Sequence, residues 1–550
     1  MSTSAFLEVE QTYAAQQHTE VPDLTRIAEV DLSGDPADFH LFAIYFDTED
    51  LRLTREKITL RRRTGGHDDG WHLKLPSTDG RMEISAPLAA TVPDTGAESD
   101  AVYPEPQPPQ ELVDRVRAIV RNHRLVPVAE VANHRSEIEL LGPDRHPVAH
   151  FCDDRVDARA LLTGEDTSWR EWELELTADT AGTALGAAVM QSATEIFAAA
   201  GAKLSDSPSK LVRALGSSLG SAPHPPAPQG FSDTAQSDPC ARILAELAES
   251  RRTLLAADPG ARTGRTRAIR QMLHATRQVR HLIYLYASLF VDADSPAAAD
   301  ERLDRLVSAA AKLAYLARVL EEADDTHDVD RRLRALFDAD RTGLVAKSTA
   351  ELLTGASRTQ LTRARARLQR TLASAEYLAV LDDLDSVLVE PPFPSHAEQR
   401  KVGGVIVREV KRAFIDYRNE RRTTSDLMAH PQATHRDLAT SFKHMLVTAQ
   451  ALATIAELAD RLTEYRSGKL ARQADKLAAE LHQAVISDAT CALIMQRARQ
   501  ARRHGQDTFG FGVLYQAESS HFTQITDALR QRRGKTRSAF KRFKKSTSRR

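Results

Sequence analysis

Through about Leu219 the chain alternates. The segments FLEVEQT, ITLRRRT, GWHLKLP, RSEIELL and REWELEL swap apolar and polar positions with a period of two, and Gly, Pro and Asp separate them. That period predicts half-buried strands. Two interruptions predict helices: PQELVDRVRAIVRNH and the Ala-rich stretch around Ala187–Ala200. This half therefore reads as an α+β domain dominated by an antiparallel sheet. The next stretch, SSLGSAPHPPAPQGFSDTAQSDP, has no period and is rich in Pro, Ser and Gly, which predicts a linker. After Cys240 the apolar residues fall at helical spacing, as in DERLDRLVSAAAKLAYLARVL and TRARARLQRTLASAEYLAVLDDLDSVL. An all-helical domain of packed hairpins or bundles is expected there.

At 550 residues the chain exceeds one ordinary domain. Its 74 basic and 76 acidic residues nearly cancel, to a formal net charge of -2, so any anion site must come from local clustering. Cys152, Cys240 and Cys491 lie far apart with no CxxC spacing, which argues against a disulfide framework or a cysteine zinc site. No basic-then-apolar leader opens the sequence, and no apolar run reaches the roughly 18 residues that span a bilayer. A cytoplasmic protein, with no membrane partner and no need of nucleic acid, is the expectation. The last segment, RQRRGKTRSAFKRFKKSTSRR, has no acidic residue. It is either a solvated end or a point of attraction for an anionic polymer.

Alternation sorts the charges by face. Glu8, Glu10 and Thr12 share one face, opposite Leu7 and Val9. Arg61 and Arg63 share a face with Thr59, and His72 shares one with Lys74. Arg135, Glu137 and Glu139 line up together, as do Glu171, Glu173 and Glu175, opposite Trp172, Leu174 and Leu176. Antiparallel sheets usually turn such a face to solvent. Here some faces are nearly of one sign, and strands of opposite sign occur in one domain. Two carboxylates of an ExE pair stand about 7 Å apart on one face. Facing ExE pairs could hold hard divalent cations, and RxR with further cations could hold phosphate oxygens.

The ordered set resembles the CYTH family, the triphosphate tunnel metalloenzymes. It runs from Glu8-Val9-Glu10 through Tyr45–Thr48 with Leu51 and Leu53, ITLRRR, GWHLKLP, Arg135, FCDDRVD and WELEL to SPSKLVRAL. The resemblance implies an eight-stranded antiparallel β-barrel, a tunnel, with helices outside, over residues 1–216. It implies Mg²⁺ or Mn²⁺ on Glu8, Glu10, Asp153, Glu173 and Glu175. Arg61, Arg63, Lys74, Arg135 and Lys210 would grip inorganic triphosphate or polyphosphate. Glu8, Glu10, Glu173 and Glu175 would carry hydrolysis with no covalent nucleophile, which leaves Cys152 a structural role. Family members usually have lysine where this chain has Thr12, so a binding protein with weakened catalysis is the alternative. His72 and His18 are the neighbours that could stand in for that lysine. Thiamine triphosphate or nucleotide cyclisation, known for other members, ranks last because nothing reads as a base pocket.

In the helical half, Arg270, His274, Arg277 and His281 fall on one face, with Arg280 beside it. A solvated basic face is the plain reading. With Met272, Ala275-Thr276-Arg277, the LTRARARL stretch and GQDTFGFGVLY, the segment resembles the CHAD family. That implies two four-helix bundles over residues 240–530, between a linker at 217–239 and a basic tail at 531–550. It also implies a basic cleft for polyphosphate, here resting on Arg270, His274, Arg277 and Arg280, supported by Arg363, Arg367 and the tail, and association with polyphosphate granules. Departures are Arg270 for a histidine, Leu273 for an arginine, and Glu321, Glu322 and Asp324 where Gly and Arg are expected. In the second half THRDLATSFKHML keeps His435.

Overall fold

The computed structural model describes residues 4–77, 80–88, 107–207, 209–223, 239–290, 301–341, 343–391, 402–430, 432 and 434–548. The chain divides into two compact units, Met1–Pro225 and Pro226–Arg550. Most of the stretch expected as a linker, residues 224–238, lies outside the described residues.

The first unit carries strands β1 (Ser4–Glu8), β2 (Glu10–Ala15), β3 (Leu32–Ser33), β4 (Ala37–Asp47), β5 (Thr59–Thr64), β6 (Gly70–Ser77), β7 (Gly80–Pro87), β8 (Val126–Leu141), β9 (Pro147–Ala160), β10 (Asp166–Leu176) and β11 (Lys203–Leu204). Their order is β1-β7-β6-β5-β4-β8-β9-β10-β2-β11, with β3 alongside β8. Only Val9 separates β1 from β2. The first pairs with β7, where Glu8 faces Arg81, and the second with β10, where Glu10 faces Glu175. The Val9 carbonyl accepts from the Leu176 amide at 2.9 Å and bridges the seam. One N-terminal strand thus joins both ends of the ladder. Counting it once, the ring has eight antiparallel members among the described residues.

The apolar strand faces turn outward and are covered by helices. Helix Ala184–Ala199 sets Val189, Ala193 and Phe197 on Tyr13, Phe151, Trp172 and Leu174. The Phe197 ring lies 4.9 Å from that of Tyr13 and 5.5 Å from that of Trp172. Helix Gln110–Val120 puts Leu112, Val116 and Ile119 on Leu60, Trp71, Leu73 and Ile84. Helix Lys210–Leu215 puts Leu211, Ala214 and Leu215 on Val128, Val156 and Trp169. Each large side chain so buried contributes about 1.5–3 kcal/mol. With those faces spent on helices, the polar faces can only point inward, the reverse of an ordinary half-solvated sheet.

The YFDT segment supplies a corner. Asp47 is fully buried and accepts from the Thr48, Leu53 and Thr54 amides at 2.7, 2.9 and 2.8 Å and from the Thr54 hydroxyl at 2.7 Å. It thereby holds the short helix Arg52–Arg55, which Leu51 enters at φ 56°. That motif is structural.

The second unit is helical, with helices Pro239–Arg262, Thr266–Ala287, Glu301–Ala339, Lys347–Ala373, Ala375–Val389, Val402–Ala429, His435–Leu462, Gly468–Arg503 and Phe509–Thr547. Val329, Leu333, Leu353, Ile486, Ile494 and Phe511 form one of its cores. His435 stacks on Phe522 at 4.0 Å and faces Asp488 at 3.2 Å, a packing role. The stretch expected as a basic tail continues the last helix. Phe540 stacks on Phe414 with ring centroids 3.6 Å apart, and Ala539 and Phe543 are buried. Among the described residues no helix is long and apolar enough to cross a membrane.

Candidate functional site

The ring encloses a cavity of about 280 Å³ lined mostly by polar and charged side chains. It gathers Glu8, Glu10 and Thr12 from the N-terminal strand, Arg61 and Arg63 from β5, Lys74 from β6, Arg135 from β8, Glu173 and Glu175 from β10, and Lys210. Lys210 arrives by a local device. The Ser209 hydroxyl accepts from the Val212 amide and caps the helix that Lys210 opens, while Leu211, Ala214 and Leu215 bury its other face.

Asp153 is the expected residue that the cavity does not receive. In the register of β9 and β10, Asp153 faces Trp172 on the outer side and Asp154 faces Glu171 on the inner one. Asp153 instead makes a two-pronged pair with Arg170, at 2.8 and 2.7 Å. Asp154 is fully buried and holds Arg135 at 2.8 and 2.7 Å and Lys210 at 2.8 Å. The correction is one residue, which on a strand is the opposite face. Glu83, Arg81 and Glu171 also line the cavity. Alternation in GRMEISA, with Met82 and Ile84 apolar, carries the signal for Arg81 and Glu83, and Glu171 lies on a face already read as charged. His72 is buried against Glu83 at 2.5 Å and the Asp68 carbonyl at 2.9 Å, and His18 is exposed. Neither lines the cavity beside Thr12.

Two groups of carboxylates converge. Ligand atoms of Glu8, Glu10 and Glu175 lie within 4.8 Å of one another, as do those of Asp154, Glu171 and Glu173. The second group is already paired: Lys210 stands 2.8 Å from Glu171 and 2.5 Å from Glu173, and Arg135 is 2.5 Å from Glu173. The first group is less satisfied. Lys74 contacts Glu8 directly and Glu10 at 3.9 Å, and among the described residues Glu175 has no ion pair. Burial, then the charge of its carboxylate neighbours, pushes Glu175 up to about 8. Burial, only partly offset by Lys74, raises Glu8 to about 7. Burial also works on Glu10, but Lys74, Lys210, Arg81 and Arg61 outweigh it and hold its carboxyl below the usual range. Burial would raise Glu83 as well, but His72, Lys74 and Arg61 hold it well below that range.

Orphaned atoms define what fits. The Nε groups of Arg61 and Arg63 and one carboxylate oxygen of Glu8 are buried with no hydrogen-bond partner. A buried donor left unmade costs about 1–3 kcal/mol, more when charged, so such atoms mark a place for a partner. Guanidinium donors call for an oxyanion and a crowded carboxylate calls for a cation. The acidic groups can therefore hold a metal ion.

In the helical unit the expected basic face is largely neutralised. Arg270 pairs with Asp324 and Asp328, each at 2.8 Å, and Arg277 pairs with Glu321 at 2.6 Å. Arg367 pairs with Glu322 at 2.7 Å, and His274 stands 3.8 Å from Glu457. Arg280 is half-buried with an unpartnered Nε. Asp324, Asp328 and His482 form a further group of potential ligands.

Residues 8–213 match the CYTH domain family and residues 245–467 the CHAD domain family. Two proteins of Mycobacterium tuberculosis, the uncharacterized protein MT2285 of strain CDC 1551 / Oshkosh and the uncharacterized protein Rv2226 of strain ATCC 25618 / H37Rv, are each 32% identical over 532 residues, covering 93% of both chains. Among solved structures, a putative adenylate cyclase from Bacillus halodurans aligns at TM-score 0.26 and 19% identity, covering 38% of this chain and 97% of that one. PptA from Streptomyces chartreusis aligns at TM-score 0.41 and 16% identity, covering 54% and 100%. The sequence matches, one to each unit and two over nearly the full length, establish that this chain belongs to the family of proteins that join a CYTH domain to a CHAD domain.

Proposed function

We propose that the barrel hydrolyses inorganic triphosphate, or a short polyphosphate, with the help of a divalent cation. The observation that carries this reading is the pairing of orphans in one cavity: unpartnered guanidinium donors on Arg61 and Arg63, and an unpartnered oxygen on Glu8. Glu8, Glu10 and Glu175 would hold Mg²⁺ or Mn²⁺. Once bound, such an ion offsets charge on phosphate oxygens and acidifies water. Arg61 and Arg63 donate to the phosphoryl oxygens, with Lys74, Arg135 and Lys210 as further cations along the chain of phosphates. A water oxygen bonds to the terminal phosphorus while the bond to the leaving pyrophosphate oxygen breaks. A carboxylate among Glu8, Glu10, Glu173 and Glu175 takes the water's proton.

The test is phosphate release from tripolyphosphate with Mg²⁺ or Mn²⁺. Wild type should exceed Glu8→Gln/Glu10→Gln by at least about 100-fold, which is roughly 2.7 kcal/mol of barrier. Equal rates for the two would refute hydrolysis. Thr12 supports a second reading. It lines the cavity opposite Glu173 and offers a hydroxyl without charge. In that reading the barrel binds triphosphate but turns it over slowly, and the protein serves as a polyphosphate binder through its helical unit.

A further inference from the structure

Asp68 stands apart among the acids of the first unit. It comes from the turn 65–69 between β5 and β6, and it lines the cavity with 50% of its side chain exposed. It is therefore at an opening of the ring. There it pairs with a terminal nitrogen of Arg63, whose own side chain is 13% exposed. Resting on the reading of the barrel as a site for short phosphate chains, we propose that Asp68 is a specificity-determining residue, a built-in anion that competes with phosphate for Arg63 and limits the length of chain the barrel accepts. A short chain ends at Arg63 and displaces the carboxylate. A longer chain that runs on through this opening meets its charge.

The turn cannot give way as a whole. Gly65 adopts φ 94°, and a Cβ there would collide with the His40 carbonyl oxygen of β4. The Gly66 amide donates to the Asp69 carboxylate at 3.1 Å. Nε2 of His72 holds the Asp68 carbonyl at 2.9 Å, and Nδ1 of the same ring lies 2.5 Å from the buried Glu83. His67 sets its ring edge-on to Phe39, centroids 4.8 Å apart, and both line the cavity. Contacts to β4 and β6 thus fix the backbone and leave the half-exposed Asp68 side chain able to swing. His72, which does not line the cavity, acquires a positioning role: it seats the turn that carries Asp68.

A carboxylate beside a buried arginine has a plain use, because a buried charge left without a partner is costly. Burial and the neighbouring Arg61 work against the Arg63 charge, as does Arg135, and Asp68 offsets part of this. Three features go beyond neutralisation. The Nε groups of Arg63 and Arg61 stay unpartnered, so donors for a second acceptor remain beside the pair. Burial would raise the Asp68 carboxyl, but Arg63 and His72 outweigh it and hold it below the usual carboxylate range, so it stays an anion at neutral pH. The carboxylate also stands at the opening, so a phosphate at Arg63, and every phosphate beyond it, must approach a like charge. Like charges brought together at a binding surface cost enough to reject a partner.

Isothermal titration calorimetry of the full chain in excess EDTA reads binding without turnover, with tripolyphosphate and a medium-chain linear polyphosphate as probes. Asp68→Asn keeps the shape and removes the charge. It should bind tripolyphosphate about tenfold more tightly than wild type, which is about 1.4 kcal/mol. Its gain for the longer chain should be larger by a further factor of about three or more. Arg61→Gln/Arg63→Gln, titrated alongside, gives the share of longer-chain binding that lies outside the barrel, which is subtracted. Asp68→Glu keeps the charge and should stay within about threefold of wild type, which separates charge from a disturbed turn. Equal affinity of wild type and Asp68→Asn for tripolyphosphate would overturn the proposal. So would an equal gain for both chains, or the same gain in Asp68→Glu. Phosphate release with Mg²⁺ is followed separately. Absent hydrolysis with the binding gain intact removes catalysis and leaves the role of Asp68 standing, whereas hydrolysis without the gain removes that role alone.

Discussion

Lys210→Met tests whether the interior cations hold the barrel together as well as line its cavity. The Lys210 ammonium is 2.8 Å from Asp154, 2.8 Å from Glu171 and 2.5 Å from Glu173, with 10% of its side chain exposed. Methionine keeps most of the volume and removes the charge. The three carboxylates would then keep Arg135, which reaches Asp154 and Glu173, and the more distant Arg213, 3.7 Å from Glu171. Stranding buried charge in this way costs about 3–5 kcal/mol. For a unit of this size, Met1–Pro225, each kcal/mol moves Tm by about 2–4 °C, so a fall of roughly 6–20 °C is expected. The freed carboxylates form a metal-ligand set, so Mg²⁺ or Mn²⁺ should restore part of the loss in the variant and raise wild type less. Differential scanning calorimetry of the full chain, with and without the cation, reads both effects. A shift below about 2 °C, indifferent to metal, would refute the reasoning, because it would mean that Lys210 is not the partner of these acids.

Two further perturbations address the site and the helical unit. Thr12→Lys adds an ammonium in the register position facing Glu173; if charge there is what catalysis lacks, tripolyphosphate hydrolysis should rise about 10²–10³-fold, and an unchanged rate would remove Thr12 from the account. His482 lies 3.0 Å from Asp328 and 3.7 Å from Asp325. Burial alone would lower its pKa, but the Asp328 hydrogen bond and the charges of Asp325, Asp328 and Asp324 raise it above the ordinary imidazole value of 6.5. Burial raises Asp325 to about 6. Both groups hold protons more tightly when folded. The Asp325 contribution is lost as pH climbs from about 4 to 6, and that of His482 is full below 6.5 and lost as pH rises through its folded value. Asp328 is lowered and contributes only above its own, more acidic window. Hydrogen exchange along helix Gly468–Arg503 should therefore speed up on going from pH 5.5 to 8.5, after correction for intrinsic rates, more in wild type than in His482→Gln, and parallel behaviour of the two would count against the linkage.

Local order was legible in the sequence because it is local. The period-two runs mark the strands and sort Glu8 from Val9, Arg61 from Leu60 and Glu173 from Trp172, since neighbouring side chains on a strand point to opposite faces. The helical half was legible from spacing, and both families from ordered motifs. Alternation alone does not say which face is inside. That was decided by Phe197, Val116 and Leu211, whose helices cover the apolar faces and leave the charged ones for the cavity. Nor does it say which of two adjacent aspartates points inward, because register is a property of two strands: Asp154 faces Glu171 only once β9 and β10 are paired. In the helical half the cations on one helix face were visible, but their partners were not. Asp324 lies 54 residues from Arg270 and Glu321 lies 44 from Arg277, so packing brought the acids that cancel them. The terminal cations differ: Phe540 stacks on Phe414 and Phe543 is buried, while Lys541, Arg542, Lys544 and Lys545 are exposed and make no ion pair among the described residues.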